Sequence, residues 1–222
     1  MGLAGNMKKV LGITGNMASG KSYTCNELAQ IAANKNIPFH IIDVDKVRRN
    51  ILQFSSSCNH MELRKKIAGT LQLGLSLSNQ LPGNMIGEVI FSDSQKRKKY
   101  ENLINPEIKK ELQLLIQPLN GLIIVEWAML IEDKMLNLVD YNLVLITCAN
   151  NIRMHRLKNS DLSLRQLQKR IQCQPADTDR ITRIKEIYQN KENGFYTIFD
   201  TGSHPDKCEF EKLFDLIFQE AL

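Results

Sequence analysis

The chain has 222 residues, 24% charged and 43% apolar, with a formal net charge of +5. That length suits one α/β domain with insertions and buries one substantial core. No apolar run approaches the ~20 residues of a membrane span, and the five cysteines and four histidines show neither a C-x-x-C pair nor metal-ligand spacing along the chain, which predicts reduced, mostly buried thiols in an intracellular protein.

Met1–Asn6 reads as a leader ahead of Met7, an alternative start. Lys8 and Lys9 precede an apolar stretch, but that stretch runs straight into a glycine-rich loop, so no signal peptide is expected. Val10–Thr14 predicts a short buried strand. Gly15-Asn16-Met17-Ala18-Ser19-Gly20-Lys21-Ser22 follows and fits G-x-x-x-x-G-K-[ST] at every specified position. A helix is expected from Lys21 to Asn34. Strand, loop and helix in this order make an anion cradle of main-chain amides, strengthened by the positive helix end. Lys21 then supplies a point charge to outer phosphates, and the Ser22 hydroxyl suits Mg²⁺.

A second strand, Phe39–Val44, leads into Asp43 and Asp45. The ends of such strands hold ligands in open α/β sheets. If the strand continues, residues i and i+2 face the same way, which would put both carboxylates at the site as base and metal ligand. The alternative is an acidic turn that ends the strand.

Lys46–Pro118 reads as an inserted region. Ser55–Asn59 is expected as a loop. Leu71, Leu73, Leu75 and Leu77 alternate, which leaves strand and irregular chain both open. The basic run Lys96–Lys99 reads as a solvated helix face. With only 6% aromatic residues and none interleaved there, a nucleic-acid role is not expected. Asn105-Pro106 predicts a helix break and restart, Asn as cap and Pro at the first helical position. The restarted helix would bury Ile108, Leu112 and Leu115 and stop at Pro118.

Leu122–Trp127 predicts a third strand with Glu126 near its end, where a carboxylate helps position Mg²⁺ in phosphate-loop enzymes. A strand-end acid with a surface partner is the alternative, and the spacing does not decide whether Asp43, Glu126 or neither holds metal. Leu143–Cys148 and Tyr196–Phe199 complete five strands. Alternating strands and helices predict an α/β three-layer fold with a parallel sheet. The core would comprise residues 7–45, 119–151 and 181–222. Residues 152–180 form a basic arm poor in large apolar side chains, with a capping box at Ser163-Leu164-Arg165-Gln166. Such an arm reads as a lid over the phosphate site or as a solvated hairpin. Arg153, Arg156 and Arg170 lie on it, and Arg156 is the first choice to neutralise a transferring phosphate. Phe210, Leu213, Phe214 and Ile217 mark the core stripe of a last helix.

With these residues assembled, the chain resembles the dephospho-CoA kinase family from about Val10 to the C-terminus. The loop Gly15–Ser22 and Asp43-Val44-Asp45 match its phosphate loop and D-x-D motif, and Arg49 an arginine after it. Glu88–Asp93 resembles its helix ending in VF-x-D. Glu126-Trp127-Ala128-Met129-Leu130-Ile131-Glu132 resembles its D-I-P-L-L-F-E segment. Arg156-Leu157 and Arg170-Ile171 with Gln174 resemble its lid. Asp200-Thr201-Gly202 resembles a late D-N-x-G turn near the adenine. The resemblance implies ATP·Mg²⁺ on Gly15–Ser22 with Tyr23, Arg156 and Gly202 around it, and Ser22, Asp43 or Glu126 toward the metal. It implies Asp45 as catalytic base beside Lys21 and Arg156, and dephospho-CoA as acceptor on the helical insertion 46–118.

The departures are Asn105 for histidine, Gly83 for the arginine of an L-x-R motif, Asn159-Ser160-Asp161 for an R-D-G segment, Ala128 for proline and Tyr23 for threonine. They bear on the acceptor more than on ATP. The expectation is a cytoplasmic P-loop kinase of CoA biosynthesis, monomeric or weakly self-associating. A nucleoside or nucleotide kinase of the same fold, or a catalytically weakened nucleotide-binding module, remains open. A GTPase is not expected, because no N-K-x-D segment is present.

Overall fold

The computed structural model of the chain describes residues 8–158, 164–189, 191, 193–202 and 204–220. The Met1–Asn6 leader and Met7, the Asn159–Asp161 departure and the Ser163 cap lie outside the described residues. The chain divides into two compact units: Met1–Ile42 with Ile116–Asp161 and Gln174–Leu222, and Asp43–Leu115 with Leu162–Cys173.

The first unit is built on a five-stranded parallel sheet in the order β2-β3-β1-β4-β5. The strands are β1 (Lys8–Gly15), β2 (Phe39–Asp43), β3 (Gly121–Glu126), β4 (Leu143–Thr147) and β5 (Tyr196–Asp200). β1 lies centrally, with Ile13 opposite Glu126 of β3 and Val144 of β4. Near-continuous apolar runs are what a sheet covered on both faces needs, and Leu11, Ile13, Ile123, Ile124 and Val144 are fully buried. On one face, Cys25, Leu28, Ile31 and Ala32 of α1 (Lys21–Asn34) join Phe210, Leu213, Phe214 and Ile217 of α9 (Lys207–Glu220) in one cluster with Leu11, Ile13 and Ile146. The stripe read from the last helix is therefore core. α6 (Asn150–Leu157) and α8 (Asp177–Gln189) follow β4 and precede β5.

The second unit is helical. It contains α2 (Val44–Arg49), a π-helical turn at Asn50–Phe54, α3 (Cys58–Leu71), α4 (Gly83–Ile90), α5 (Ser94–Ile116) and α7 (Leu164–Gln172). Arg64 of α3 is buried and donates from Nε to Ile51 O at 2.7 Å and from Nη2 to Ser55 O at 2.6 Å, satisfying carbonyls that the π turn leaves over.

Several local expectations are corrected. Asn105-Pro106 does not restart a helix: α5 is continuous for 23 residues with Pro106 inside it. Proline costs the bond to the Asn102 carbonyl, yet Tyr100, Ile104, Ile108, Leu112 and Ile116 are all buried at four-residue spacing. That stripe outweighs the local stop signal. It also replaces Leu115, which is 44% exposed, by Ile116. The loop at Ser55 ends at Ser57, because Cys58 and Asn59 open α3. Between the alternatives for Leu71–Leu77 the chain is irregular: α3 closes at Leu71, Gln72 turns left-handed at φ 59°, and Leu77 is fully exposed. β2 stops at Asp43 and Val44 opens α2, so strand alternation does not relate Asp43 to Asp45. Of the five thiols only Cys25 and Cys148 are buried, while Cys58 and Cys208 are exposed, so the thiols are not mostly buried.

Gly121 sets the start of β3. Its φ is +84°, and an added Cβ would meet Pro38 O at 2.2 Å. The next amide, Leu122 N, donates to that carbonyl at 2.9 Å. Gly121→Ala should destabilise the protein by about 2 kcal/mol or more, from left-handed strain and overpacking together. Urea unfolding measures it, and a change below about 0.5 kcal/mol, the size of an ordinary surface substitution, would show that the strand start tolerates a side chain.

Candidate functional site

The phosphate loop leaves β1 at Gly15, φ +147°, and enters α1 through Gly20, φ +100°. A Cβ on Gly15 would meet Ile146 O at 2.3 Å, and one on Gly20 would meet Thr201 Oγ1 at 2.9 Å, so both positions need glycine. Between them, four consecutive carbonyls each accept from a different side chain. Lys21 Nζ donates to Asn16 O at 3.1 Å, Arg153 Nε to Met17 O at 3.1 Å and Arg156 Nη1 to Ala18 O at 3.2 Å. Thr201 Oγ1 donates to Ser19 O. In a trans peptide the following N–H points opposite its carbonyl. Of the amides that follow these carbonyls, Ser19 N–H donates back to Asn16 O at 3.1 Å, which leaves Ala18 N–H and Gly20 N–H for an anion cradle. The Met17 amide donates to Gln174 Oε1 at 2.9 Å, and Asn16 Nδ2 to Asp177 Oδ1 at 2.8 Å, which joins the start of α8 to the loop. Ser19 Oγ is buried and without a hydrogen-bond partner among the described residues.

A cleft of about 430 Å³ opens at the loop, lined by Ala18, Gly20, Lys21, Ser22, Tyr23, Arg156 and His204. Ser22 Oγ, in the first turn of α1, donates to Glu126 Oε1 at the end of β3 at 2.6 Å. The structure thus brings together Lys21, Ser22, Tyr23 and Arg156, and joins Glu126 to them through Ser22. From the turn after β5, His204 rather than Gly202 lines the cleft. Gly202 donates its N–H to Asp200 Oδ1 at 3.1 Å.

The arginines divide by burial. Arg153 is 6% exposed, and burial pushes its pKa down while Asp177 opposes the shift; guanidinium stays charged regardless. Arg156 is half-buried and also donates to Thr201 Oγ1 at 3.2 Å and Thr201 O at 3.0 Å. Arg180, read only as the end of the basic arm, is buried and pairs through Nε with Glu132 Oε1 at 2.8 Å, fixing α8 to the segment after β3. An acid six residues beyond Glu126 in an apolar segment was the available sign that a buried cation would meet it.

Asp43 and Asp45 belong to the second unit. Asp43 caps α2, its Oδ1 accepting from Asp45 N at 2.9 Å and Lys46 N at 3.2 Å. Asp45 sits in the first turn, with its side chain 74% exposed and Oδ1 held by Arg48 Nη1 at 2.8 Å. A second cavity, of about 270 Å³, has Asp45, Arg48, Arg49, Gly83, Phe91 and Arg170 in its wall. Arg170 stacks over Phe91 at 5.5 Å. An added Cβ at Gly83 meets nothing within 4 Å. Arg48 went unnoticed in the sequence, although its i+3 spacing from Asp45 on a helix was the signal.

Thr201 is the buried link of this site: its hydroxyl serves Ser19 O and Arg156 together. Thr201→Val keeps the shape and removes the hydroxyl, so it should cost about 1–3 kcal/mol, the penalty of orphaned buried polar groups. It should also raise KM for the nucleotide. Denaturant unfolding and initial rates check both, and a variant matching the parent in both would show that the loop carbonyls do not depend on it.

The dephospho-CoA kinase family model matches residues 9–194. A dephospho-CoA kinase of Bacillus cereus is 25% identical over 83% of this chain and 89% of its own length. A dephospho-CoA kinase domain-containing protein of Danio rerio is 27% identical over 90% of this chain and 86% of its own. Among solved structures, TT1252 from Thermus thermophilus superposes with a TM-score of 0.64 at 20% identity, covering 96% of this chain and 98% of its own. The shikimate kinase of Acinetobacter baumannii, in complex with shikimate, superposes with a TM-score of 0.50 at 14% identity over 96% and 95%; both likenesses show the fold alone. With a family match spanning most of its length on a phosphate-loop fold, the chain belongs to the dephospho-CoA kinase family.

Proposed function

We propose that this chain transfers the γ-phosphoryl group of ATP to the 3′-hydroxyl of dephospho-CoA, giving coenzyme A. The observation that carries the reading is the loop whose carbonyls at residues 16–19 are tied down by four side chains, beside the Ser22–Glu126 pair. That arrangement suits a triphosphate, and family membership supplies the acceptor.

In this reading Lys21 and Arg156 face the transferring phosphate in the 430 Å³ cleft. Ser19 Oγ supplies a buried hydroxyl donor within the loop. Tyr23 and His204 flank the nucleotide, with Gly202 in the adjoining turn. Ser22 Oγ and Glu126 Oε1 are hard oxygen donors close enough to share one cation, which fits Mg²⁺. When bound there, the ion would offset charge on the β- and γ-phosphate oxygens. Asp43 offers less to a metal, because its Oδ1 is committed to two amides of α2.

Asp45 orients the acceptor hydroxyl and takes its proton. Arg48 holds one carboxylate oxygen, which leaves Oδ2 for the alcohol. Arg49 and Arg170 bring positive charge to the acceptor cavity, where Gly83 contributes none. We expect the enzyme to act in the cytoplasm on small molecules as a monomer or weak homo-oligomer. Among the described residues, no helix is long and apolar enough to cross a membrane.

Initial rates with ATP and dephospho-CoA, against adenosine and other nucleosides as acceptors, test the assignment. The expected result is preference for dephospho-CoA; faster transfer to a nucleoside would move the chain to the nucleoside-kinase reading. Asp45→Asn should lower kcat about a hundredfold to ten-thousandfold, the usual contribution of a general base, with KM for ATP little changed. Unchanged kcat would remove Asp45 from catalysis. Arg156→Ala should cost about a thousandfold if its guanidinium meets transition-state charge. A loss of a few fold, seen mainly in KM, would confine it to holding Ala18 and Thr201.

A further inference from the structure

The second unit contains a polar cluster that the proposed reaction does not use. His60, the third residue of α3, is 4% exposed. Its Nε2 lies 3.1 Å from Glu107 Oε1 and 3.4 Å from Glu111 Oε1. Glu107 and Glu111 are one turn apart on α5 and share a face. The three donor atoms lie within 4.8 Å of one another. On the other side of the ring, Nδ1 is 2.6 Å from Ser55 Oγ. Ser55 is itself held, because buried Arg64 donates to its carbonyl at 2.6 Å. Linear spacing hides this set, since the histidine and the carboxylates come from different helices.

We propose that His60, Glu107 and Glu111 form a binding site for one divalent first-row transition ion of the zinc type. Bonds of about 2.0–2.1 Å to a tetrahedral ion put neighbouring ligand atoms about 3.3–3.4 Å apart, and the nitrogen–oxygen separations of 3.1 and 3.4 Å have that size. The Ser55 contact on Nδ1 is the outer hydrogen bond that fixes a ligating histidine and presents the other ring nitrogen. Two carboxylates balance the charge of the ion, and one imidazole with two carboxylates suits zinc better than magnesium, which favours oxygen alone. The half-buried glutamates leave a fourth position for water. Lys110 Nζ lies 3.5 Å from Glu107 Oε1 and competes for that carboxylate, but its side chain is 54% exposed and swings clear at little cost. The ion would tie α3 to α5 beside Pro106, where α5 lacks a backbone hydrogen bond.

The test is a zinc titration of the chelator-stripped full chain against a chromophoric competitor, with magnesium in excess to fill the nucleotide site. One zinc should bind per chain and raise the thermal midpoint. Glu107→Gln/Glu111→Gln keeps size and packing, so it should fold normally by circular dichroism and retain kinase turnover, yet bind at least about a hundredfold more weakly. Ser55→Ala should weaken binding about 10–100-fold, as loss of an outer partner does. Cys58→Ser/Cys208→Ser should bind as the parent does, and cobalt in the site should show d–d bands without thiolate charge transfer. The proposal is overturned if the parent binds no zinc, which leaves His60 as a hydrogen-bonded core side chain, or if the double glutamine variant binds as tightly as the parent.

Discussion

The nucleotide end of this molecule depends on what is done with four carbonyl oxygens. A loop that offers amides to an anion must dispose of its C=O groups elsewhere, and an unpaired buried carbonyl is costly. Here the oxygens of residues 16–19 are taken by Lys21 from α1, Arg153 and Arg156 from α6, and Thr201 beyond β5. Three of the four donors are cationic. The same groups that bind the carbonyls therefore raise the positive potential on the amide side, where a triphosphate is proposed to lie.

That arrangement is inherited from the sheet. β1, β4 and β5 are adjacent, so the chain leaving β4 into α6 and the chain leaving β5 both reach the loop that follows β1. The apolar strands make this adjacency favourable through burial, and the core of α1 and α9 against Leu11, Ile13 and Ile146 holds the edge from which the loop springs. The two positive-φ glycines then let the backbone pass close to Ile146 O and Thr201 Oγ1. Acidic groups divide in the same economical way. Asp43 terminates a strand and caps a helix, Asp45 pairs with Arg48, and Glu126 meets Ser22.

The sheet, its strands and the loop were legible because their signals are local: apolar runs of five or six residues, a fixed glycine-lysine spacing, a helix start. Ser22 beside Glu126 was legible in outline, since both sit where strand ends converge. Arg153 and Arg156 show the limit. Residue type marks them as phosphate-binding, but the structure engages both with loop carbonyls, and type alone cannot distinguish an arginine bonded to an oxygen of the protein from one aimed at a ligand. Asn105-Pro106 failed because a local stop was overridden by a buried stripe extending a further two turns on either side. The strand-alternation reading of Asp43 and Asp45 failed for the reverse reason. Asp followed by two amides at a helix start is a cap, and the strand period does not continue through it. His60 with Glu107 and Glu111 left no trace in the chain order, because only the pairing of α3 with α5 assembles it.

The claim beneath the whole account is that main-chain amides of a carbonyl-tied loop hold the nucleotide. Amide resonances of uniformly ¹⁵N-labelled protein, followed while ATP is added to saturation, measure this directly. The account predicts large shifts at Ala18, Gly20, Lys21 and Ser22, with Leu71 and Leu112 of the helical unit unmoved. Saturable binding of ATP that leaves those four amides unshifted would contradict it.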